Sequence, residues 1–241
     1  MSLFLDAIAW IFAPRQWQGS GTLGELLLQH LAYSAASVAI AVVIAVPLGW
    51  AIGHTGKGRE VAVAVAGVAR AVPSFGLLLL LVLLMGVLRK PEAAVITFVL
   101  LAIPSLLAGA YSGLEAIDRR VIDAARAVGM TQWQILWRVE VPLGLPLLIG
   151  GLRSAVLQVV ATVTIAAYIG LGGLGQPIIA GLNLRSFDQV LGGAILVALL
   201  ALLLDALLAL AQRAAVPTGL RAGRADRGAS ARRRTVPATS S

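Results

Sequence analysis

Four long apolar stretches determine what this chain can fold into. They cover about residues 28–52, 93–113, 147–169 and 190–211, and each is close to the length of about 20 residues that a helix needs to cross a bilayer. Hydrophobic residues make up 59% of the 241 residues and charged residues only 12%, a balance that a soluble domain could not expose to water. The sequence therefore predicts an all-α integral membrane protein.

A fifth apolar stretch, 61–88, is longer than a bilayer requires and contains Arg70 and Pro73. We interpret it as one kinked span, which gives five spans; two separate spans here would give six. Residues 1–27 contain a short apolar run with Trp10 and Trp17 and are predicted to form an interfacial segment. The membrane domain is then predicted to cover 28–212, followed by a basic, disordered cytoplasmic tail over 213–241.

Basic residues are distributed unevenly between the two sets of loops, and the positive-inside rule uses that bias to orient the chain. With the C-terminus inside, the outer side has only Arg15, Arg89, Lys90 and Arg185. The inner side then has Lys57, Arg59, Arg119, Arg120, Arg126, Arg138, Arg153 and the arginines of the tail. The prediction is a multi-pass protein of the bacterial cell membrane, with its N-terminus outside and its C-terminus in the cytoplasm. The net positive charge is explained by this topology and by contact of the tail with anionic lipid, so no nucleic-acid partner is predicted.

Several kinds of chemistry are excluded by what the sequence lacks. There is no cysteine, and His30 and His54 are the two histidines, so no metal site is predicted. No G-x-x-x-x-G-K-[ST] pattern occurs, so the chain cannot hold ATP in a P-loop. The few acids and histidines do not cluster as a catalytic set would. No catalytic residues and no enzyme activity are therefore predicted for this chain.

The polar segment, residues 115–146, is the long charged interruption between apolar stretches. Its first half has helical spacing of charges, and Gly129 is a natural C-terminal stop because glycine accepts the left-handed conformation. Thr131 followed three residues later by Gln134 predicts a capping box that starts a second helix. Pro142 is predicted to end that helix. The polar segment thus predicts a helix, a glycine corner and another helix.

The same segment resembles a known motif. Asp123-Ala124-Ala125, three residues, Gly129, nine residues and Val139-Glu140-Val141-Pro142 resemble the EAA motif of binding-protein-dependent ABC importer permeases, which reads E-A-A, three residues, G, nine residues, I-x-L-P. The spacing matches throughout, with aspartate for the glutamate and valines for the isoleucine and leucine. Four further segments resemble the glycine betaine/carnitine/choline branch of these permeases. They are ARAVPSFGLLLLLV, LLAIPSLLAGAYSGLEAID, YIGLGGLGQPI and ILVALLALLLDALL. The resemblance extends from about residue 69 to 212.

The resemblance implies the transmembrane domain of a type I, MetI-like ABC importer. Its helix-turn-helix would couple to a separate ATPase subunit that binds ATP and Mg²⁺, so this chain would need no cofactor of its own. The other implied partners are an extracytoplasmic substrate-binding protein and a second permease subunit, identical or related. The positions that match the motif are Asp123, Ala124, Ala125, Gly129, Val139, Val141 and Pro142.

The cargo implied by the branch is a compatible solute such as glycine betaine, choline or carnitine. The alternative within the class is a permease for another small solute, such as methionine or another amino acid. An alternative from a different class is a stand-alone channel or secondary transporter, which would leave the EAA spacing unexplained and would need no ATPase.

Two further sets of residues are candidate sites. Gly170, Gly172, Gly173 and Gly175 match G-x-G-x-x-G but follow a span rather than a strand, so we interpret them as an outer loop, a gate or a dock for the binding protein. Ser154, Gln158 and Thr162 share one helical face. They predict either helix–helix hydrogen bonds or, with Arg70, a translocation path. Asp205 is expected to pair with a basic residue, and Arg70 is one candidate.

Overall fold

The computed structural model describes residues 2–216, apart from the side chains of Val65, Ala69 and Arg70. Within this range the chain is helical and contains no strand. The predicted tail, 213–241, lies outside the described residues beyond position 216. The helices are α1 Ser2–Phe12, α2 Leu23–Thr55, α3 Arg59–Ala71, α4 Ser74–Met85, α5 Lys90–Glu115, α6 Arg119–Ala127, α7 Gln132–Ile135, α8 Val141–Ala166, α9 Gly175–Leu184 and α10 Phe187–Ala214.

Four helical stretches in residues 2–216 are long and apolar enough to cross a membrane. They are Leu23–Thr55, Val87–Glu115, Gln132–Ile169 and Phe187–Ala214. The second includes a 3₁₀ turn before α5, and the third joins α7 to α8 without a break. The prediction of an all-α membrane protein is confirmed.

The apolar stretch 61–88 contains two helices, α3 and α4, rather than one continuous helix. The break lies at Val72, whose backbone is extended, and at Pro73, because a proline disfavours helical geometry in the residue before it. Helix α4 has 12 residues, or about 18 Å at 1.5 Å per residue. Phe75 near its start contacts Tyr168, with ring centroids 5.3 Å apart. The short length of α4 argues against two complete crossings in this stretch.

Close backbone contacts join α2, α5 and α8. A Cβ placed on Gly113 would lie 2.6 Å from the carbonyl oxygen of Gly144, and one on Gly109 would lie 2.9 Å from Cα of Gly151. A Cβ on Gly53 of α2 would lie 2.9 Å from a backbone oxygen of α5. Small residues allow membrane helices to approach this closely, and the resulting van der Waals contact holds them together. These glycines therefore form a rigid three-helix core.

The N-terminal helix α1 packs on α10. Trp10 is buried, and its ring lies against Gly192, where a Cβ would come within 2.6 Å of the ring. The indole N–H of Trp17 donates to the carbonyl of Ile11 at 2.7 Å, while half of the Trp17 side chain is exposed. Trp10 is therefore inside the fold and does not anchor the predicted interfacial segment, 1–27, at a membrane surface.

Candidate functional site

The hairpin, residues 119–140, begins with its own N-cap. Helix α5 ends at Glu115, and the side chain of Asp118 then accepts a hydrogen bond from the backbone N–H of Arg120 at 2.9 Å. An aspartate at this position satisfies one of the free N–H groups of a new helix. The helical spacing predicted for the first half of the polar segment is therefore divided between the end of α5 and a new helix, α6, which starts at Arg119.

The corner of the hairpin is at Gly129, as predicted. Its φ of +83° is in the left-handed region. Its N–H donates to the carbonyl of Arg126 at 2.9 Å, and the N–H of Met130 donates to that of Ala125 at 3.2 Å. This pair of bonds is the Schellman motif, which satisfies the last carbonyls of a helix. A Cβ at Gly129 would meet no described atom within 4 Å, so backbone conformation rather than space requires glycine here.

The second half of the hairpin begins at the predicted capping box. The Thr131 hydroxyl accepts from the Gln134 N–H at 3.4 Å, and the Gln134 side chain accepts from the Thr131 N–H at 2.9 Å. The prediction that Pro142 ends the helix is wrong. A π-helical turn over Leu136–Glu140 leads straight into α8. The wider turn accommodates the proline, which would otherwise clash with the carbonyl four residues earlier.

The motif residues face in different directions. Ala124 is exposed, whereas Ala125 is buried within this chain. Asp123 is exposed and forms a surface pair with Arg126 at 3.4 Å. Pro142 is also exposed, and Val139 and Val141 are half-buried. Of the two small residues, only Ala124 is therefore positioned to allow close approach of another protein.

The exposed surface of the hairpin is apolar as well as charged. Val128 is 78% exposed and Trp133 is 71% exposed. Val121 and Trp137 are also largely exposed. Large exposed apolar side chains among charges are typical of a surface that binds another protein. The hairpin thus has the composition of a docking surface.

The hairpin is also attached to the end of α2. The rings of Trp50 and Trp137 meet edge to face, with centroids 5.4 Å apart. One turn further along, Nδ1 of His54 lies 2.5 Å from a carboxylate oxygen of Glu140, which is buried. Sequence reasoning missed these four residues, because it considered the histidines only as metal ligands. The sequence signal was an acid, Glu140, between two valines of the motif, which indicates that this position needs a partner but does not identify it.

The glycine-rich loop, residues 170–175, lies at the other end of the molecule and is held by side chains from two helices. The side-chain oxygen of Gln29 accepts from the Gly173 N–H at 3.2 Å, and Nδ1 of His30 accepts from the Leu174 N–H at 3.3 Å. The ammonium of Lys90 donates to the carbonyls of Ile169 and Gly170. Sequence reasoning found the loop but not the residues that fix it.

The loop needs glycine at these positions for two reasons: a backbone conformation that other residues rarely adopt, and a lack of room for a side chain. Gly170, Gly172 and Gly173 all have positive φ. Gly175 has no room for a side chain, because a Cβ would meet the Thr164 carbonyl. The predicted loop is therefore present, and it is a packed structure.

The polar residues predicted along α8 do not share one environment. Ser154 is exposed, Gln158 is half-buried and Thr162 is buried. The hydroxyls of Ser154 and Thr162 donate to carbonyls four residues earlier in the same helix, at 3.3 and 2.8 Å. The structure thus shows neither hydroxyl in a hydrogen bond to another helix.

Asp205 pairs with Arg153; the side chain of Arg70, the other candidate, lies outside the described part of the chain. The guanidinium of Arg153 donates two hydrogen bonds to the carboxylate, at 2.9 and 2.8 Å. It donates a third to Gln212, whose amide reaches the carbonyl of Pro146. Arg153 therefore belongs to a polar network between α8 and α10, rather than to a loop at the inner surface.

Together, the spanning helices, the polar hairpin that interrupts them and the packed glycine-rich loop define a multi-pass helical membrane protein. Residues 37–218 match the family described as "Binding-protein-dependent transport system inner membrane component". The chain belongs to this family.

Characterised relatives cover most of the chain. It is 32% identical over 200 residues to the "Glycine betaine/carnitine/choline transport system permease protein OpuCB" of Bacillus subtilis, covering 82% of this chain and 91% of that protein. It is 34% identical to the "Carnitine transport permease protein OpuCB" of Listeria monocytogenes, covering 91% and 98%. It is also 35% identical to the "Osmoprotectant import permease protein OsmW" of Salmonella typhimurium, covering 84% and 95%.

Solved structures share the fold. A chain of the MetNI methionine ABC transporter, in an inward-facing conformation, matches with a TM-score of 0.72 and 23% identity, covering 85% of this chain and 99% of that one. A chain of an amino acid ABC transporter solved with histidines matches with a TM-score of 0.65 and 20% identity, covering 79% and 92%. The predicted MetI-like architecture is confirmed.

Proposed function

We propose that this chain is the membrane subunit of an ATP-driven importer of compatible solutes such as glycine betaine, choline or carnitine. The observation that carries the proposal is the exposure of Ala124, Val128 and Trp133 on the hairpin. Hydrogen-bonded caps at the start of each of its helices define its conformation. The cargo is inferred from relatives that are named as transporters of these compounds.

The hairpin is the proposed contact with a separate ATPase subunit, which binds ATP and Mg²⁺. Burial of its exposed apolar side chains against a partner would contribute favourable free energy to binding. The two ends of the hairpin continue into spanning helices. Movement of the hairpin would therefore reach the membrane. The positions proposed to face or shape this contact are Asp123, Ala124, Ala125, Gly129, Val139, Val141 and Pro142.

The same proposal orients the chain and names its other partners. The hairpin side is cytoplasmic, because of its arginines, and the glycine-rich loop faces an extracytoplasmic binding protein. A second permease subunit completes the translocation path. We propose that Ser154, Gln158, Thr162 and Arg70 contribute to that path, and that membrane lipid surrounds the remaining faces.

Reconstituted uptake tests the proposal. The complex of this chain with its ATPase and binding protein is expected to accumulate labelled betaine, choline or carnitine in an ATP-dependent manner. Uptake of methionine instead would establish the alternative cargo. Uptake without any ATPase would establish a secondary transporter or channel and overturn the proposal.

Gly129→Asp examines the role of the hairpin within this complex. The variant is expected to insert and to lose the link between ATP hydrolysis and uptake, since aspartate adds a negative charge and a larger side chain to the exposed corner. Unchanged uptake by Gly129→Asp would contradict the assignment.

A further inference from the structure

Helix α2 makes side-chain contacts with both candidate regions, one at each end. Trp50 and His54 contact the hairpin, whereas Gln29 and His30 contact the glycine-rich loop. The 25 or so positions between Gln29 and His54 correspond to about 37 Å of helix at 1.5 Å per residue. This exceeds the hydrocarbon thickness of about 30 Å, so a single helix reaches both sides of the membrane.

The contact at the hairpin end fixes two neighbouring turns of α2. Trp137 and Glu140 lie three residues apart in the π-helical turn and meet Trp50 and His54, which lie four residues apart in α2. Two contacts on successive turns resist both sliding and rotation of one helix against the other. Because Glu140 is buried, separating it from His54 would leave a carboxylate without its partner, which is unfavourable.

The body of α2 can transmit a displacement. Although Pro47 removes one backbone N–H, α2 is one continuous helix from Leu23 to Thr55. Near the hairpin, Gly49 and Gly53 hold it against α5, where a Cβ on either glycine would collide with that helix. A displaced hairpin would therefore move α2 together with α5 rather than bend its end.

The contact at the loop end is with backbone groups. The side chains of Gln29 and His30 accept hydrogen bonds from the backbone N–H groups of Gly173 and Leu174. Gly173 and Leu174 are both buried. If α2 moved without the loop, these buried N–H groups would lose their partners, at a cost of about 1–3 kcal/mol each. The loop is therefore expected to follow α2.

We propose that α2 transmits movement of the hairpin to the glycine-rich loop on the opposite side of the membrane, with Trp50 and His54 as positioning residues. The inference rests on the proposed function, because it assumes that an ATPase moves the hairpin. It assigns the two contacts between α2 and the π-helical turn as a second connection to the loop, beside the covalent one through α8.

A single cysteine can report on the loop, because the chain has none of its own. Gln176 is exposed, and its N–H donates to the Gly173 carbonyl at 3.0 Å, so Gln176→Cys places a thiol beside the loop. The measurement is the rate of maleimide labelling of this thiol in nanodiscs that contain the complete complex, with and without ATP and vanadate. We expect a several-fold change in rate on trapping the nucleotide.

Variants of the hairpin contact give the decisive comparison. Glu140→Ala is expected to reduce the nucleotide-dependent change markedly, although the contact between Trp50 and Trp137 and the covalent path through α8 remain. Glu115→Gln is the matched control, because Glu115 pairs with Arg59 at 3.5 Å and does not contact α2 through this pair, and it should retain the change. The double variant His54→Gln with Glu140→Gln should restore the response, since two amides can hydrogen-bond where the imidazole and carboxylate did.

The outcomes separate the inference from the proposed function. If the unmodified complex shows no ATP-driven uptake, the proposed function fails. If it transports and Glu140→Ala responds to nucleotide as fully as Glu115→Gln does, the proposed function stands and the inference is overturned. Should Glu140→Ala not fold, His54→Ala removes the same contact from a side chain that is already 20% exposed, and a full response in that variant equally overturns the inference.

Discussion

The hairpin and the glycine-rich loop both turn at glycines, yet they are held in different ways. At Gly129 the surroundings are open, and the corner is made by hydrogen bonds between residues close in sequence. The loop, by contrast, is held by residues that are distant in sequence. Gln29 and His30 each accept a hydrogen bond from a backbone N–H 144 residues away. The hairpin is a locally formed surface available to a partner, whereas the loop is part of the packed core.

The largest expected effect is at the packed end of the loop. In Gly175→Ala the new Cβ would lie 2.8 Å from the Thr164 carbonyl carbon and 2.9 Å from the Ala167 Cβ. Backbone cannot move aside cheaply, so we expect a loss of about 3 kcal/mol or more, as for severe overpacking. Thermal unfolding followed by tryptophan fluorescence measures it, and a melting temperature like that of the unsubstituted chain would show that the loop is not packed as described.

A smaller effect is expected where a side chain holds the loop. Lys90→Met retains the apolar stem but removes the donor to the carbonyls of Ile169 and Gly170, with an expected loss of about 2 kcal/mol because the donor is charged. Arg89→Met is the matched control, since Arg89 is exposed. Equal unfolding temperatures for the two variants would contradict the role given to Lys90.

At the open corner, the expected loss depends on backbone conformation alone. Gly129→Ala should cost about 1 kcal/mol, because a residue with a Cβ is disfavoured at positive φ. Gly129→Asn should cost less, since asparagine tolerates the left-handed region. The two variants can be ranked by hydrogen exchange of the hairpin amides. An alanine variant as well protected as glycine would refute the conformational explanation.

The smallest effect is expected at the capping box. Thr131→Ala removes the acceptor of the Gln134 N–H, an exposed hydrogen bond of 3.4 Å, with a loss of about 0.5 kcal/mol confined to the start of α7. Thr131→Ser, which keeps the hydroxyl, is the control. The effect should appear as faster exchange of the first amides of α7 and leave the overall unfolding temperature unchanged; a fall in that temperature would mean that the hairpin is not an independent local structure.

These two regions also show what could be predicted from the sequence. The capping box and the Gly129 corner depend on residues within five positions of each other, so the sequence pattern was sufficient. The π-helical turn was not predicted, because Pro142 by itself favours a helix end. The pairing of His54 with Glu140 spans 86 residues, and no local pattern could identify it. Likewise, the choice of Arg153 as the partner of Asp205 depends on how α8 packs against α10.

Two adjacent alanines test whether the hairpin is the surface that an ATPase subunit covers. Ala124→Cys places the chain's single thiol on the exposed face, and Ala125→Cys places it on the buried face. The measurement is the rate of maleimide labelling with and without the ATPase subunit. We expect Ala124→Cys to label readily in the chain alone and to be protected in the complex, and Ala125→Cys to label slowly in both. Equal labelling of Ala124→Cys with and without a bound ATPase would contradict this role of the hairpin.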